Sequence, residues 1–226
     1  MDYIKENLFE IRENVAVAAR KAGRDPESVK LIAVSKTFPA EAVQSAYDAG
    51  QRRFGENRVQ DLALKNAALP DDIEWHMIGH LQSNKVKLAV ENAAYIHAVD
   101  SVKLLQKIDR TAGELGRSPK ILLEVNISGE ESKFGADAEA AAKLVKNALE
   151  CKNASVVGLM TMAPFGAAER ELHFVFGSLR RLRDELQNEF GLNLPELSMG
   201  MSGDFETAIE EGATLVRIGT SIFGKR

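Results

Sequence analysis

The chain has 226 residues, with 29 Lys+Arg against 33 Asp+Glu, a formal charge of −4, 45% hydrophobic and 27% charged residues. That balance is ordinary for a soluble globular chain with ample length for a buried core, and it gives no support to a nucleic-acid partner, which shows a basic face. Cys151 is the single cysteine, which excludes an intramolecular disulfide and a cysteine-built zinc site. No run reaches the roughly 20 apolar residues of a membrane-spanning helix. Residues 1–10 lack the cationic start and apolar stretch of a secretory signal. The expectation is a cytoplasmic, reduced protein with no membrane association.

Short β-branched and apolar runs alternate with amphipathic stretches along the chain. A helix is predicted over residues 3–22, stopped by Gly23, and a strand follows over 31–35. The next helix spans 39–49, with Pro39 at its first position and Gly50 after its last. Strands are read at 53–54 (the weakest), 75–79, 95–99 and 121–126. A helix over 138–149, a strand over 156–160 and a helix over 169–190 come next, the last stopped by Gly191. The final strands are 197–201 and 215–219. Eight strand–helix units, several strands nearly continuous in apolar character, predict an α/β TIM (β/α)8 barrel. No linker or low-complexity tract divides the chain, so residues 1–226 read as a single domain with an extra N-terminal helix.

In such a barrel the ligand site lies at the carboxyl ends of the strands. The first strand is followed by Lys36, which can point into the barrel mouth, where desolvation frees an amine for a Schiff base, or can snorkel at the rim. After the seventh strand comes Gly200-Met201-Ser202-Gly203-Asp204, and after the eighth Gly219-Thr220-Ser221. Small residues, the hydroxyls of Ser202 and Thr220 and adjoining helix starts make the usual phosphate site of this fold. Arg217 precedes Gly219 by two residues, so both share one face of the last strand. If that face is inward, Arg217 needs a partner, either a carboxylate such as Glu124 or an acceptor atom of a ligand. Lysine, phosphate cradle and inward arginine together suggest pyridoxal phosphate.

The chain closely resembles the pyridoxal-phosphate homeostasis proteins, single-barrel relatives of the amino-terminal domain of alanine racemase. The resemblance rests on Ala33-Val-Ser-Lys-Thr37, Phe54-Gly-Glu-Asn57, the segment from Trp75 to Lys85, Glu131-Ser-Lys-Phe-Gly135, Gly158-Leu-Met-Thr-Met162, Ser198-Met-Gly-Met-Ser-Gly-Asp204 and Val216-Arg-Ile-Gly-Thr220, in order along essentially the whole chain. It implies a Schiff base on Lys36, phosphate held by Ser202, Gly219 and Thr220, Arg217 at the pyridine nitrogen, Asn57 near the ring and Met201 lining the phosphate side. It also implies a role in vitamin B6 homeostasis and amino-acid or keto-acid balance, with no established reaction and so no catalytic residue.

An arginine at the pyridine nitrogen keeps that atom unprotonated and the ring a poor electron sink. The racemase supplies a second base, a tyrosine from another domain. Here the tyrosines are Tyr3, Tyr47 and Tyr95, none just after a strand end. Where the racemase has a histidine after Met-Thr this chain has Met162, and where it has an arginine in the fifth loop this chain has Lys133. A non-catalytic cofactor-binding regulator is therefore expected. The alternatives are a weak amino-acid racemase or a carrier delivering cofactor to apo-enzymes.

Other patterns carry less. His76 and His80 lack the intervening glutamate of a zincin, so no metal is expected. His97 and His173 read as core or surface residues. Gly200-Met-Ser-Gly203 falls one residue short of a nucleophile elbow, and no phosphate-loop or dinucleotide motif occurs. The segment Gln82-Ser83-Asn84-Lys85 and Lys133 read as site-face loops that bind a substrate carboxylate, receive a partner or merely cap a helix. A monomer is expected, because a closed barrel hides its own sheet edges.

Overall fold

The computed structural model describes residues 2–130 and 134–224. Eight parallel strands close in sequential order into a barrel: β1 (Lys30–Val34), β2 (Arg53–Glu56), β3 (Glu74–Met77), β4 (Tyr95–Val99), β5 (Lys120–Glu124), β6 (Ser155–Met160), β7 (Glu196–Ser198) and β8 (Leu215–Ile218). Strand β8 closes on β1 with Ile32 opposite Arg217 and Ala33 opposite Ile218. This is the expected TIM barrel. The run read as two residues, 53–54, extends through Gly55 and Glu56. Gly55 belongs to the strand because Ile32 and Ile78 fill the space that its side chain would take.

Around the barrel lie α1 (Asp2–Lys21), α2 (Ala40–Asp48), α3 (Val59–Ala68), α4 (Val86–Asn92), α5 (Val102–Leu115), α6 (Ala138–Ala148), α7 (Glu169–Phe190), α8 (Phe205–Glu210) and α9 (Thr220–Phe223). Pro39 stands at the N-cap of α2 with an extended ψ of 168°, one place before the helical position expected for it. The expected glycine stops hold: Gly191 after α7 is left-handed at φ 65°. The longest helix, α7, turns Val175, Phe176, Leu179 and Leu186 inward, a stripe at three- and four-residue spacing.

Two apolar layers result. Between sheet and helices pack Phe54, Trp75, Phe176 and Phe223, all essentially without exposure. Inside the barrel a smaller cluster of Ile32, Tyr95, Ala98, Leu122, Met160 and Leu215 fills the lumen. Because strand side chains alternate, Leu215 inside places Arg217 and the residue at 219 on the same inward face.

A barrel of this kind needs a helix after its last strand to cover the seam between β8 and β1. The last helix, α9, is only four residues long. Helix α1 takes that place instead, packing on α2, α8 and α9. Asn7 donates to the Ile222 carbonyl at 3.0 Å and Arg12 to the Ala49 carbonyl at 3.1 Å.

Just beyond β3, Gly79 lies so close to Asn57 that a Cβ would stand 2.3 Å from its carbonyl oxygen. This contact sets the path of the chain after β2. Gly79→Ala is expected to lose about 1–3 kcal/mol of stability in urea unfolding. Unchanged stability would mean that the contact is not needed.

Candidate functional site

The turn after β1 is pinned from behind. Ser35 Oγ donates to Glu56 Oε1 at 2.7 Å, and Lys65 Nζ donates to the Ser35 carbonyl at 2.9 Å while pairing with the same Glu56 oxygen. All three side chains are buried. Sequence reasoning missed this cluster; Glu56 and Lys65 meet only because α3 folds back on β2. It anchors the residue immediately before Lys36. Thr37, next along, has φ 69°, the one positive value outside glycine among the described residues, a strained backbone that turns the chain sharply at the barrel mouth. Lys36 itself is exposed.

The loops after β7 and β8 meet beside this turn. Gly219 N–H donates to Ser202 Oγ at 3.4 Å, and Arg217 N–H to the Gly200 carbonyl at 2.9 Å. Gly200 permits the first loop to turn: its φ is 91°, and a Cβ would lie 2.7 Å from that of Ala208. Thr220 opens α9, whose first bonds run from the Ile222 and Phe223 N–H groups to the Gly219 carbonyl, so the Thr220 and Ser221 N–H groups have no intrahelical acceptor. Gly219 sits against the end of β1, where its Cβ would stand 3.1 Å from the Val34 carbonyl. Ser202 and Gly219 are thus joined, with Thr220 next in the chain, and Gly219 abuts Val34, two residues before Lys36. Met201 is half-buried in the same loop.

Arg217 points into the barrel and is buried. Its Nη1 donates to Ser198 Oγ at 2.5 Å and its Nη2 to the Thr161 carbonyl at 3.0 Å. Desolvation lowers its pKa to about 10, which leaves it charged at neutral pH. The partners are therefore a hydroxyl and a carbonyl, not the carboxylate considered from sequence. Glu124, at the mouth end of β5, is 3% exposed, and its Oε2 has no hydrogen-bond partner. Desolvation, and then the nearby Asp100, raise its pKa to about 7.

Asn57 is exposed after β2 and lines a cavity of about 420 Å³ together with Arg58, His80, Gln82 and Lys85. Gln82 and Lys85 are thereby brought to the side of Asn57. Lys133 lies outside the described residues. His76 and His80 do not share a site: His76 is inside the barrel, whereas His80 stacks on Phe134 at 4.3 Å and faces Asp100.

Below Arg217 lies a group that sequence reasoning left among ordinary core positions. His97 Nδ1 is 2.9 Å from Ser198 Oγ, His97 Nε2 is 2.8 Å from His76 Nδ1, and His76 Nε2 is 3.2 Å from Glu74 Oε1. Inward parity on β3, β4, β7 and β8 was the one available signal.

Residues 7–226 match the family model described as alanine racemase, N-terminal domain. A pyridoxal phosphate homeostasis protein of Aquifex aeolicus (strain VF5) is 45% identical over 222 residues, covering 98% of this chain and 97% of that protein. One of Homo sapiens is 42% identical over 237 residues, covering 97% and 85%. The solved structure of PipY from Synechococcus elongatus with PLP bound superposes with a TM-score of 0.88 at 44% identity, over 98% of this chain and 100% of that one. Alanine racemase of Clostridium difficile 630 shares the fold at 15% identity and a TM-score of 0.74, with 57% of its chain covered.

Two stability predictions follow from the site's carboxylates. Between its ordinary value of 4.5 and its raised value of about 7, Glu124 holds a proton in the folded state that the unfolded chain releases. Stability therefore falls as pH rises through that window. Glu124→Gln does not titrate and is expected to gain about 1–3 kcal/mol over wild type at pH 8 and nothing near pH 5. Equal effects at both pH values in urea unfolding would contradict this. Lys65→Met strands the buried Glu56 charge and is expected to cost about 3–5 kcal/mol, most of it recovered when Glu56→Gln is added. Thermal unfolding of the single and double variants decides it.

Proposed function

This chain belongs to the family of the alanine racemase N-terminal domain, and from that premise we propose that it binds pyridoxal phosphate at the carboxyl end of its barrel and serves in homeostasis of that cofactor. Ser202, Gly219 and Thr220 would hold the phosphate, Lys36 the aldehyde carbon, and Arg217 the ring nitrogen, with Asn57 and Met201 beside the ring. The observation that carries this reading is the junction of the β7 and β8 loops, where Gly219 N–H meets Ser202 Oγ while packing against the end of β1. The reading is further supported by Lys36 following β1 and by the buried Arg217 on β8, both at the carboxyl end of the barrel with these loops. Bound there, the cofactor supplies an aldehyde for a primary amine and an aromatic ring able to withdraw electrons.

The residues favour holding over turnover. Arg217 is a donor with no acceptor atom, and its charge opposes a proton on the ring nitrogen. The tyrosines are committed elsewhere: Tyr47 bonds Asp72 at 2.7 Å, Tyr3 reaches the Phe223 carbonyl at 3.4 Å, and Tyr95 accepts from Lys120 at 3.1 Å at the opposite end of the barrel. No tyrosine is left to act as a base on the far face of the ring. The protein is accordingly a cofactor-binding regulator of free pyridoxal phosphate and of amino-acid and keto-acid balance, and not a racemase.

Protein purified with pyridoxal phosphate is expected to be yellow and, after borohydride reduction, to carry the label on Lys36. Lys36→Ala should be colourless. α-Hydrogen exchange from added amino acids should stay at the level of free cofactor. A colourless wild-type protein, or a label fixed elsewhere, would overturn the reading.

A further inference from the structure

The hydrogen bonds that link Arg217 to Glu74 can be satisfied in only one direction. Arginine can only donate, so Ser198 Oγ accepts from Arg217 Nη1. At the other end Glu74 is ionised: the hydrogen bond from His76, outweighing desolvation, lowers its pKa to about 2. An ionised carboxylate only accepts, so His76 must present an N–H at Nε2. Burial lowers the pKa of His76 and lowers that of His97 well below the ordinary value, which keeps both rings neutral with one N–H each. His76 Nδ1 is then an acceptor, His97 Nε2 carries a proton, and His97 Nδ1 accepts the Ser198 hydroxyl. In the opposite arrangement a bare His76 Nε2 would face the Glu74 carboxylate and the Ser198 proton would have no acceptor.

We propose that Ser198, His97 and His76 are positioning residues, a one-way hydrogen-bond relay running through the barrel from Arg217 to Glu74 that fixes the orientation of the guanidinium at the ligand site. The relay starts on β8, passes to Ser198 on β7, crosses the lumen to His97 on β4 and ends on β3. It leaves Arg217 aimed by two acceptors, Ser198 Oγ and the Thr161 carbonyl. The relay also defines what acid does. A proton added at His76 Nδ1 forces His97 into the other tautomer, and Ser198 then accepts from both sides. That change disturbs Arg217 from the far end of the barrel. The groups around His76 are Glu74 on its own strand, Arg53 on β2, Tyr95 stacked at 4.5 Å on β4, and Glu196 on β7. Lys120 of β5 reaches Tyr95, and Arg217 is the charge facing His97.

The consequence for pyridoxal phosphate rests on the reading above; the relay itself does not. Nitrogen-15 NMR of the ligand-free wild-type protein at pH 7.5 reads the tautomers directly. Both His76 and His97 are expected as Nε2–H forms, and an Nδ1–H form of His97 would overturn the relay. In titrations with pyridoxal phosphate, Ser198→Ala is expected to weaken binding about ten-fold and to make the visible absorption of the complex newly pH-dependent between pH 6 and 9. Ser198→Thr, which keeps the hydroxyl, should restore both. Unchanged affinity and absorption in Ser198→Ala would overturn the positioning role. If wild type binds no pyridoxal phosphate at all, the cofactor reading fails, while the tautomers still decide the relay.

Discussion

A guanidinium buried inside a barrel of eight strands constrains nearly everything around it. It cannot shed its proton near neutral pH, and leaving it without acceptors in the lumen would cost several kcal/mol. The interior therefore departs from the filled aliphatic core that such barrels usually have. Ile32, Leu122, Met160 and Leu215 still pack there, but a line of polar side chains replaces their neighbours between β3 and β8. The carbonyl of Thr161 turns in to meet Arg217, while the Thr161 hydroxyl bonds the Val125 carbonyl. The polar interior is thus a solvation shell for one cation, built from protein atoms.

The same arrangement divides the barrel into two electrical ends. Away from the mouth, Arg53 pairs with Glu74 at 3.0 Å and Lys30 with Glu196 at 2.6 Å, closing the floor with matched charges. At the mouth the balance is left open: Arg217 is inward, Lys36 is exposed, and Glu124 is a carboxyl without a partner for one of its oxygens. Matched charges stabilise the floor, whereas among the described residues Lys36 and Arg217 have no carboxylate within ion-pair distance, so a ligand with its own charges can supply one. This is the ordinary trade between stability and binding, localised to opposite ends of one lumen.

How much of this was legible in the sequence depends on how far apart the cooperating residues lie. Strand alternation alone put Arg217 and Gly219 on one face, and the glycine-rich loops after the last two strands announced the cradle. Strand 53–54 was underread because Gly55 and Glu56 look like a turn until Ile32 and Ile78 fill the space beside them. The Glu56–Lys65–Ser35 cluster joins a strand, a helix and the turn after β1, and His97 meets Ser198 across 101 residues of chain. Such pairs leave no local periodicity. Only the closed barrel, by fixing which strands face one another across the lumen, brings them together. Partners for buried charges were predictable as a need, but not as identities: Glu124 was the obvious candidate for Arg217, and the hydroxyl of Ser198 took the place.

The substitution of α1 for a full helix after β8 ties the element that precedes β1 to the one that follows β8. Asn7 holds the Ile222 carbonyl, and Tyr3 that of Phe223. During synthesis, α1 emerges before every strand of the barrel, and its apolar face, Ile4, Leu8, Ile11 and Val15, acquires all its neighbours only when α8 and α9 have followed. The nascent chain therefore carries an uncovered amphipathic helix until β8 is available to close the seam. Topologically the ring of elements has no true beginning. A circular permutation that joined α9 to α1 and opened an exposed loop elsewhere would preserve every strand pairing, while letting the seam form early instead of last.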